Sequence, residues 1–210
     1  MNTFTKKIIA TLCCGVIIGT VVIVLKNNDT AAKNNDTAAA VIPITTISSD
    51  YRYYKSLKEM TDSSNLVVYG VIIHDNGISL IDAGAGEMPY RTYDFKVKRG
   101  IKGKAVEDDV ISFKVLKTTE SIDSSLVEDN EYICFLQTYD NGILASLINI
   151  EQSTILINGD DLLVTEPQKD IIEGALDKKF SITPLTDKAE KIIEIQGAKD
   201  ELIDIIEGFL

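Results

Sequence analysis

Histidine and cysteine are nearly missing from this chain of 210 residues, which has one histidine, His74, and three cysteines. A structural zinc site takes about four Cys or His ligands, so no metal is expected, nor any other cofactor. Cys13 and Cys14 lie inside an uncharged apolar run, which leaves Cys134 alone in the rest of the chain. A lone cysteine cannot form an internal disulfide, so the folded part has to hold together by its core. Basic residues are also scarce, 21 Lys and Arg against 32 Asp and Glu, for a net charge of −11 and a pI near 4.6. That balance disfavours a nucleic-acid partner.

The motifs of common chemistries are missing as well. No G-x-S-x-G elbow is present to pair with His74, Asp75, Ser79 or Asp82 as a triad. Gly84-Ala85-Gly86 lacks the third glycine of a dinucleotide loop, and no P-loop occurs. Asp160-Asp161 lacks the spacing of an EF-hand. Cys134 sits mid-run in Tyr-Ile-Cys-Phe-Leu, the setting of an inert buried thiol. No catalytic residue is assigned. Paired carboxylates for glycoside hydrolysis stay open, because sequence gives no distances.

What is present begins with Ile8–Leu25, 18 residues without charge or proline, preceded by Lys6 and Lys7. As a helix this run covers roughly 27 Å, close to a hydrocarbon core. It reads as a transmembrane anchor, with the N-terminus inside and the bulk of the chain outside. A cleaved signal peptide is the alternative, since Thr30-Ala31-Ala32 and Ala38-Ala39-Ala40 supply small residues. Lipidation is a minor option, as Leu12 rather than a small residue precedes Cys13. Residues 26–39 repeat Lys-Asn-Asn-Asp-Thr-Ala-Ala twice, the composition of a solvated spacer. The absence of disulfides and the wealth of Ile, Asn, Lys and Asp lean toward a Gram-positive cell surface.

From residue 41 the expected fold is α+β. A short helix over about 51–63 with Asp50 as N-cap follows from Tyr54, Leu57 and Met60 at three-residue steps. Asn-Gly pairs at 76–77, 141–142 and 158–159 predict hairpins 66–74/78–82, 131–139/143–149 and 153–157/162–165. Strands over 91–99 and 110–116 fit between the hairpins, so the β-domain, expected as a small OB-like antiparallel barrel on the resemblance given below, spans 41–166. Residues 167–210 read as a helical C-terminal segment, from Ile171, Ile172 and Leu176 and then Ile192, Ile195, Leu202, Ile206 and Phe209.

Val68-Tyr69-Gly70-Val71, Tyr93-Asp94-Phe95-Lys96-Val97, Ile101-Lys102-Gly103, Asp109-Val110-Ile111-Ser112-Phe113 and Tyr132-Ile133-Cys134-Phe135-Leu136 together resemble the netrin/TIMP-like variant of the OB-fold found in extracytoplasmic domains of Gram-positive bacteria. The resemblance covers residues 66–136 and implies a five-stranded, partly open Greek-key barrel. It carries no activity to this chain. The N-terminal cysteine and disulfide frame of the animal protease inhibitors are missing, and fold is not function.

The candidate binding site is a basic strand end. Arg91, Lys96, Lys98, Arg99, Lys102 and Lys104 stand against Asp94 alone, while residues 160–210 carry 13 acids and 6 lysines. Lys98, Arg99, Lys102 and Lys104 either meet an anionic envelope polymer, lipid headgroups or a surface protein, or are satisfied by the acidic tail of the same molecule. The expected role is that of a membrane-tethered extracytoplasmic binding module. The alternatives are an envelope assembly protein using its helical tail, and a hydrolase built on acidic residues.

Overall fold

The structure is a computed structural model that describes residues 52–82, 87–117, 126–140, 142–178 and 192–210. The apolar run, the repeat, Asp50 and Asn141 lie outside the described residues. Two units are distinguished. Tyr51–Ser79, Pro89–Leu116 and Leu126–Leu210 make the larger, which contains the core and the helices. The described part of the smaller comprises the far ends of two strands and Lys117.

The elements in chain order are α1 (Leu57–Ser63), β1 (Leu66–Asp82), β2 (Glu87–Lys102), β3 (Val110–Leu116), β4 (Glu131–Gln137), β5 (Ala145–Leu147), β6 (Thr154–Asn158), β7 (Asp161–Thr165), α2 (Glu166–Leu176), β8 (Ile192–Ile195) and α3 (Lys199–Glu207). The sheet order is β1-β2-β3-β5-β4-β6-β7-β8. β1 also pairs with β4, from Leu66↔Leu136 to Val71↔Glu131, so five strands close a partial ring. The link between β3 and β5 is parallel and short, Phe113↔Ala145 and Lys114↔Ser146. The fold is thus α+β, mostly strand, and it ends in a small helix.

Two apolar layers follow from the period of two along the strands. Val68, Ile72, Tyr93, Phe95, Val97, Phe113, Tyr132, Cys134 and Leu136 form one cluster, inside the ring. Ile133 and Phe135 alternate with them on β4 and join Leu57, Met60, Ile171, Ile172, Leu202, Ile203 and Ile206 in the other, under the helices. The uninterrupted run Tyr132–Leu136 is therefore buried on both faces of one strand. Each such Ile, Leu or Phe contributes roughly 1.5–3 kcal/mol. Gly70 sits where a Cβ would lie 2.1 Å from the Lys96 carbonyl oxygen and 2.7 Å from Phe95 Cε1. The glycine lets the Phe95 ring and β2 approach β1 this closely.

Several expectations need correction. The first helix is capped by Ser56, whose Oγ accepts from the Glu59 N–H at 3.1 Å. Tyr54 stays outside the helix, its backbone N–H and C=O held by the Gln152 side-chain amide. No hairpin forms at Asn76-Gly77, and β1 runs on for 17 residues. Gly77 takes a φ of +76° but Asn76 has no positive φ, so the paired requirement of a type I′ turn is unmet. Of the other two, the second is shorter than 131–139/143–149: β4 and β5 pair only at Leu136↔Leu147 and Gln137↔Ser146, while the third forms. In the third, Asn158 pairs with Asp161, so Gly159 and Asp160 are the central residues, with Gly159 at φ +65°.

The C-terminal segment is not wholly helical. Ile192–Ile195 is a strand, with Ile193 opposite Val164 and Ile195 opposite Leu162. Ile193 and Ile195 are buried and Glu194 is exposed, a two-residue period. The β-branched side chains favour this edge pairing over a helix, and Gly197 at φ +63° separates β8 from α3.

Candidate functional site at the basic strand end

Apart from Arg91, the cations of β2 lie in its C-terminal half, where Lys96 and Lys98 alternate with the buried Phe95 and Val97. Among the described residues nearly all have partners. Arg91 grips the Asp75 carboxylate through Nε at 2.9 Å and through a second guanidinium nitrogen. Lys96 pairs with Asp108 at 2.8 Å. Lys98 pairs with Glu131, and Lys102 Nζ donates to the Thr61 carbonyl at 2.7 Å, near the end of α1. Arg99 pairs with Glu207 on α3 at 2.7 Å. Lys104, on the turn after β2, is exposed and has no partner among the described residues.

Of the four predicted binding residues, then, Lys98, Arg99 and Lys102 are tied to β4, α3 and α1. Among the described residues, only Arg99 meets the acidic tail directly. Lys98 reaches it through a wider network. Tyr69 Oη donates to Glu131, and both Lys98 and Lys199 lie near the Tyr69 ring, at 5.9 and 5.8 Å from its centroid. Lys199 also pairs with Asp160 at 2.9 Å. Burial and the adjoining Glu131 carboxylate push the Tyr69 phenol up. Burial works to raise Glu131, but the bonds from Lys98 and Tyr69 outweigh it and hold the carboxyl below its usual range.

His74 and its neighbours show no triad. His74 Nδ1 lies 3.3 Å from Glu128, whose Oε1 accepts from the Asp75 N–H at 2.7 Å. Asp75 is engaged by Arg91 and by the Gly77 N–H. Burial opposes ionisation of Asp75, yet these bonds leave its carboxyl below the ordinary range. A general acid needs the opposite shift. Complete burial pushes the Cys134 thiol up, which removes its nucleophilic form. Among the described residues no group of three His, Cys, Asp or Glu side chains is arranged to hold a metal ion.

Two features were missed by sequence reasoning. The first is a clamp on the segment that enters the fold. Asn149 Nδ2 donates to the Arg52 carbonyl at 3.0 Å, while Gln152 bonds both backbone groups of Tyr54 and the Pro167 carbonyl. Both amides are buried. Asparagine and glutamine in a short connection carry no signal that sets them apart from turn residues. The second is a pair of turns at one end of the ring that both meet Asn65. Asn65 exchanges bonds with the Thr138 backbone at 2.7 and 3.0 Å, and its carbonyl lies 2.8 Å from the Cβ position of Gly103. These turns display Lys104, Val106, Tyr139 and Ile143. Neither a known protein-family model nor a curated protein matches the chain.

Proposed function

We propose that this chain is a membrane-tethered extracytoplasmic interaction module, with the N-terminal helix in the bilayer and an OB-like ring presented outside. The observation that carries this reading is the 18-residue uncharged run behind Lys6 and Lys7, followed by a polar spacer. The cyclic pairing of β1, β2, β3, β5 and β4, with one short parallel link, supports kinship with the netrin/TIMP-like OB-fold. The use of Leu202, Ile203 and Ile206 inside the core argues against the tail as a partner-binding groove. The lowered carboxylates Asp75 and Glu131 argue against an acid-base hydrolase at these positions. Protease treatment of intact cells is expected to remove the domain and leave a membrane-bound stub. Protection of the whole chain would end this reading, and a soluble mature form starting near Lys33 or Val41 would replace it with a secreted one.

The basic tip has two roles open to it, and the geometry favours the intramolecular one. An anionic envelope partner would have to displace Glu131, Glu207 and the Thr61 carbonyl to recruit Lys98, Arg99 and Lys102, leaving Lys104 as the accessible member. Replacing all four by Gln is expected to lower stability and spare envelope binding. Loss of salt-sensitive binding with stability intact would reverse that assignment.

A further inference from the structure

Three of the exposed large apolar side chains share one end of the ring. Val106 is 61% exposed, Ile143 53% and Tyr139 42%. Single exposed apolar residues are ordinary on any protein. These three sit on two turns, 103–109 and 138–144, that Asn65 bridges. The strand directions bring the turns together, because β2 and β4 both end where β1 begins, with Leu66 opposite Leu136. The segment arriving from the N-terminal side is held by the connection that follows β5, and β5 is bonded to the second turn. Asn149, which holds the Arg52 carbonyl, lies three residues after Ser146, and Ser146 Oγ is 2.8 Å from Tyr139 Oη.

We propose that this end of the ring rests on the lipid bilayer, with Val106 and Ile143 entering the headgroup boundary and Tyr139 and Lys104 meeting the headgroups. The inference depends on the membrane-tethered reading and adds an orientation and a contact surface to it. Chemistry fits each part. Tyrosine and lysine favour the membrane–water interface, where an apolar body can be buried while the polar tip stays wet. Insertion rather than charge supplies the attraction, because Glu107, Asp108, Asp109 and Asp140 share these turns with Lys104. Contact made by so few side chains is weak in isolation. Tethering turns it into an intramolecular event at high effective concentration.

The chain contains no tryptophan, so a single introduced Trp reports its own position. Full-length protein carrying Val106→Trp, Ile143→Trp or Val127→Trp is reconstituted into phosphatidylcholine vesicles with brominated acyl chains. Val127 is the control, 53% exposed and next to the strand ends at the opposite end of the ring. Quenching at 106 and 143 is expected to exceed that at 127 by roughly threefold or more, and to persist when salt is raised tenfold. Equal quenching at all three positions, or no quenching at 106 and 143 in protein that floats with the vesicles, would overturn the inference. Loss of quenching in high salt would overturn it too, by assigning the contact to charge. Failure of the chain to float with the vesicles would instead remove the tethered reading and this inference with it. If a Trp variant does not fold, hydrogen exchange in the unsubstituted protein decides. Exchange over 103–107 and 138–144 slows on transfer from detergent to vesicles if the surface docks, and stays unchanged if it does not.

Discussion

Replacing glycine by alanine at two positions should have opposite effects, and the structure sets both signs. At Gly70 the added Cβ would meet the Lys96 carbonyl oxygen at 2.1 Å and Phe95 Cε1 at 2.7 Å. The nearer atom is backbone of the neighbouring strand, so no rotamer change relieves the contact. β2 must move by an ångström or more, and with it the Phe95 ring, which is fully buried in the ring interior. Overpacking ordinarily costs about 1–3 kcal/mol, and a backbone obstruction belongs at or above the top of that range. At Gly174, within α2, nothing lies within 4 Å of the added Cβ. There the helix gains about 0.5–1 kcal/mol from the lost freedom of glycine in the unfolded chain. For a protein of this size 1 kcal/mol moves the melting temperature by about 2–4 °C. Gly70→Ala should therefore melt about 6–12 °C lower, and Gly174→Ala about 1–4 °C higher. Thermal unfolding of the full-length chain in detergent, followed by circular dichroism, measures both. A Gly70→Ala protein that melts with the wild type would refute the close approach of β1 and β2, and with it the reason for glycine in Val-Tyr-Gly-Val.

Gln152→Ala should cost about 2–3 kcal/mol, since it orphans the backbone N–H and C=O of Tyr54 and the Pro167 carbonyl in a buried setting. Hydrogen exchange at residues 52–55 should rise with it, and unchanged protection there would show that the clamp is not what holds the entry segment. Stability should also fall in acid. Asp75 and Glu131 have lowered folded-state pKa values, so between folded and unfolded pKa the unfolded chain binds more protons. Their contribution is complete above about pH 5 and is lost as pH drops below about 4 through the folded values. With solvent screening the two together are worth about 1–2 kcal/mol. Denaturant midpoints between pH 6 and 3 should fall less steeply in Asp75→Asn and Glu131→Gln than in wild type, and parallel slopes would count against both pairings.

The sequence by itself determined the elements whose burial shows in their own pattern. Val110–Leu116 and the strand around Tyr132–Leu136 were legible because a period of two, or an unbroken apolar run, leaves few options over seven residues. The Asp160-side hairpin and α2 were legible for the same local reasons. The shortage of histidine and cysteine likewise narrows the chemistry from composition alone. Other features depended on partners distant in sequence. Ile192 and Ile195, three apart, suit a helix, Ile193 and Ile195, two apart, suit a strand, and pairing with β7 decides for the strand. Asn76-Gly77 carries the same short hairpin signal as the other two Asn-Gly pairs, yet β1 runs on through it, with Asp75 tied to Arg91 on the neighbouring strand. The closing of β1 onto β4, the Asn149 and Gln152 clamp, and the partners of Lys98, Arg99 and Lys102 are all contacts across tens of residues. Charge counts located the cations at one strand end. Only tertiary packing chose which acids they face, because an ion pair or an amide bond depends on distance, and distance between remote residues is a property of the fold.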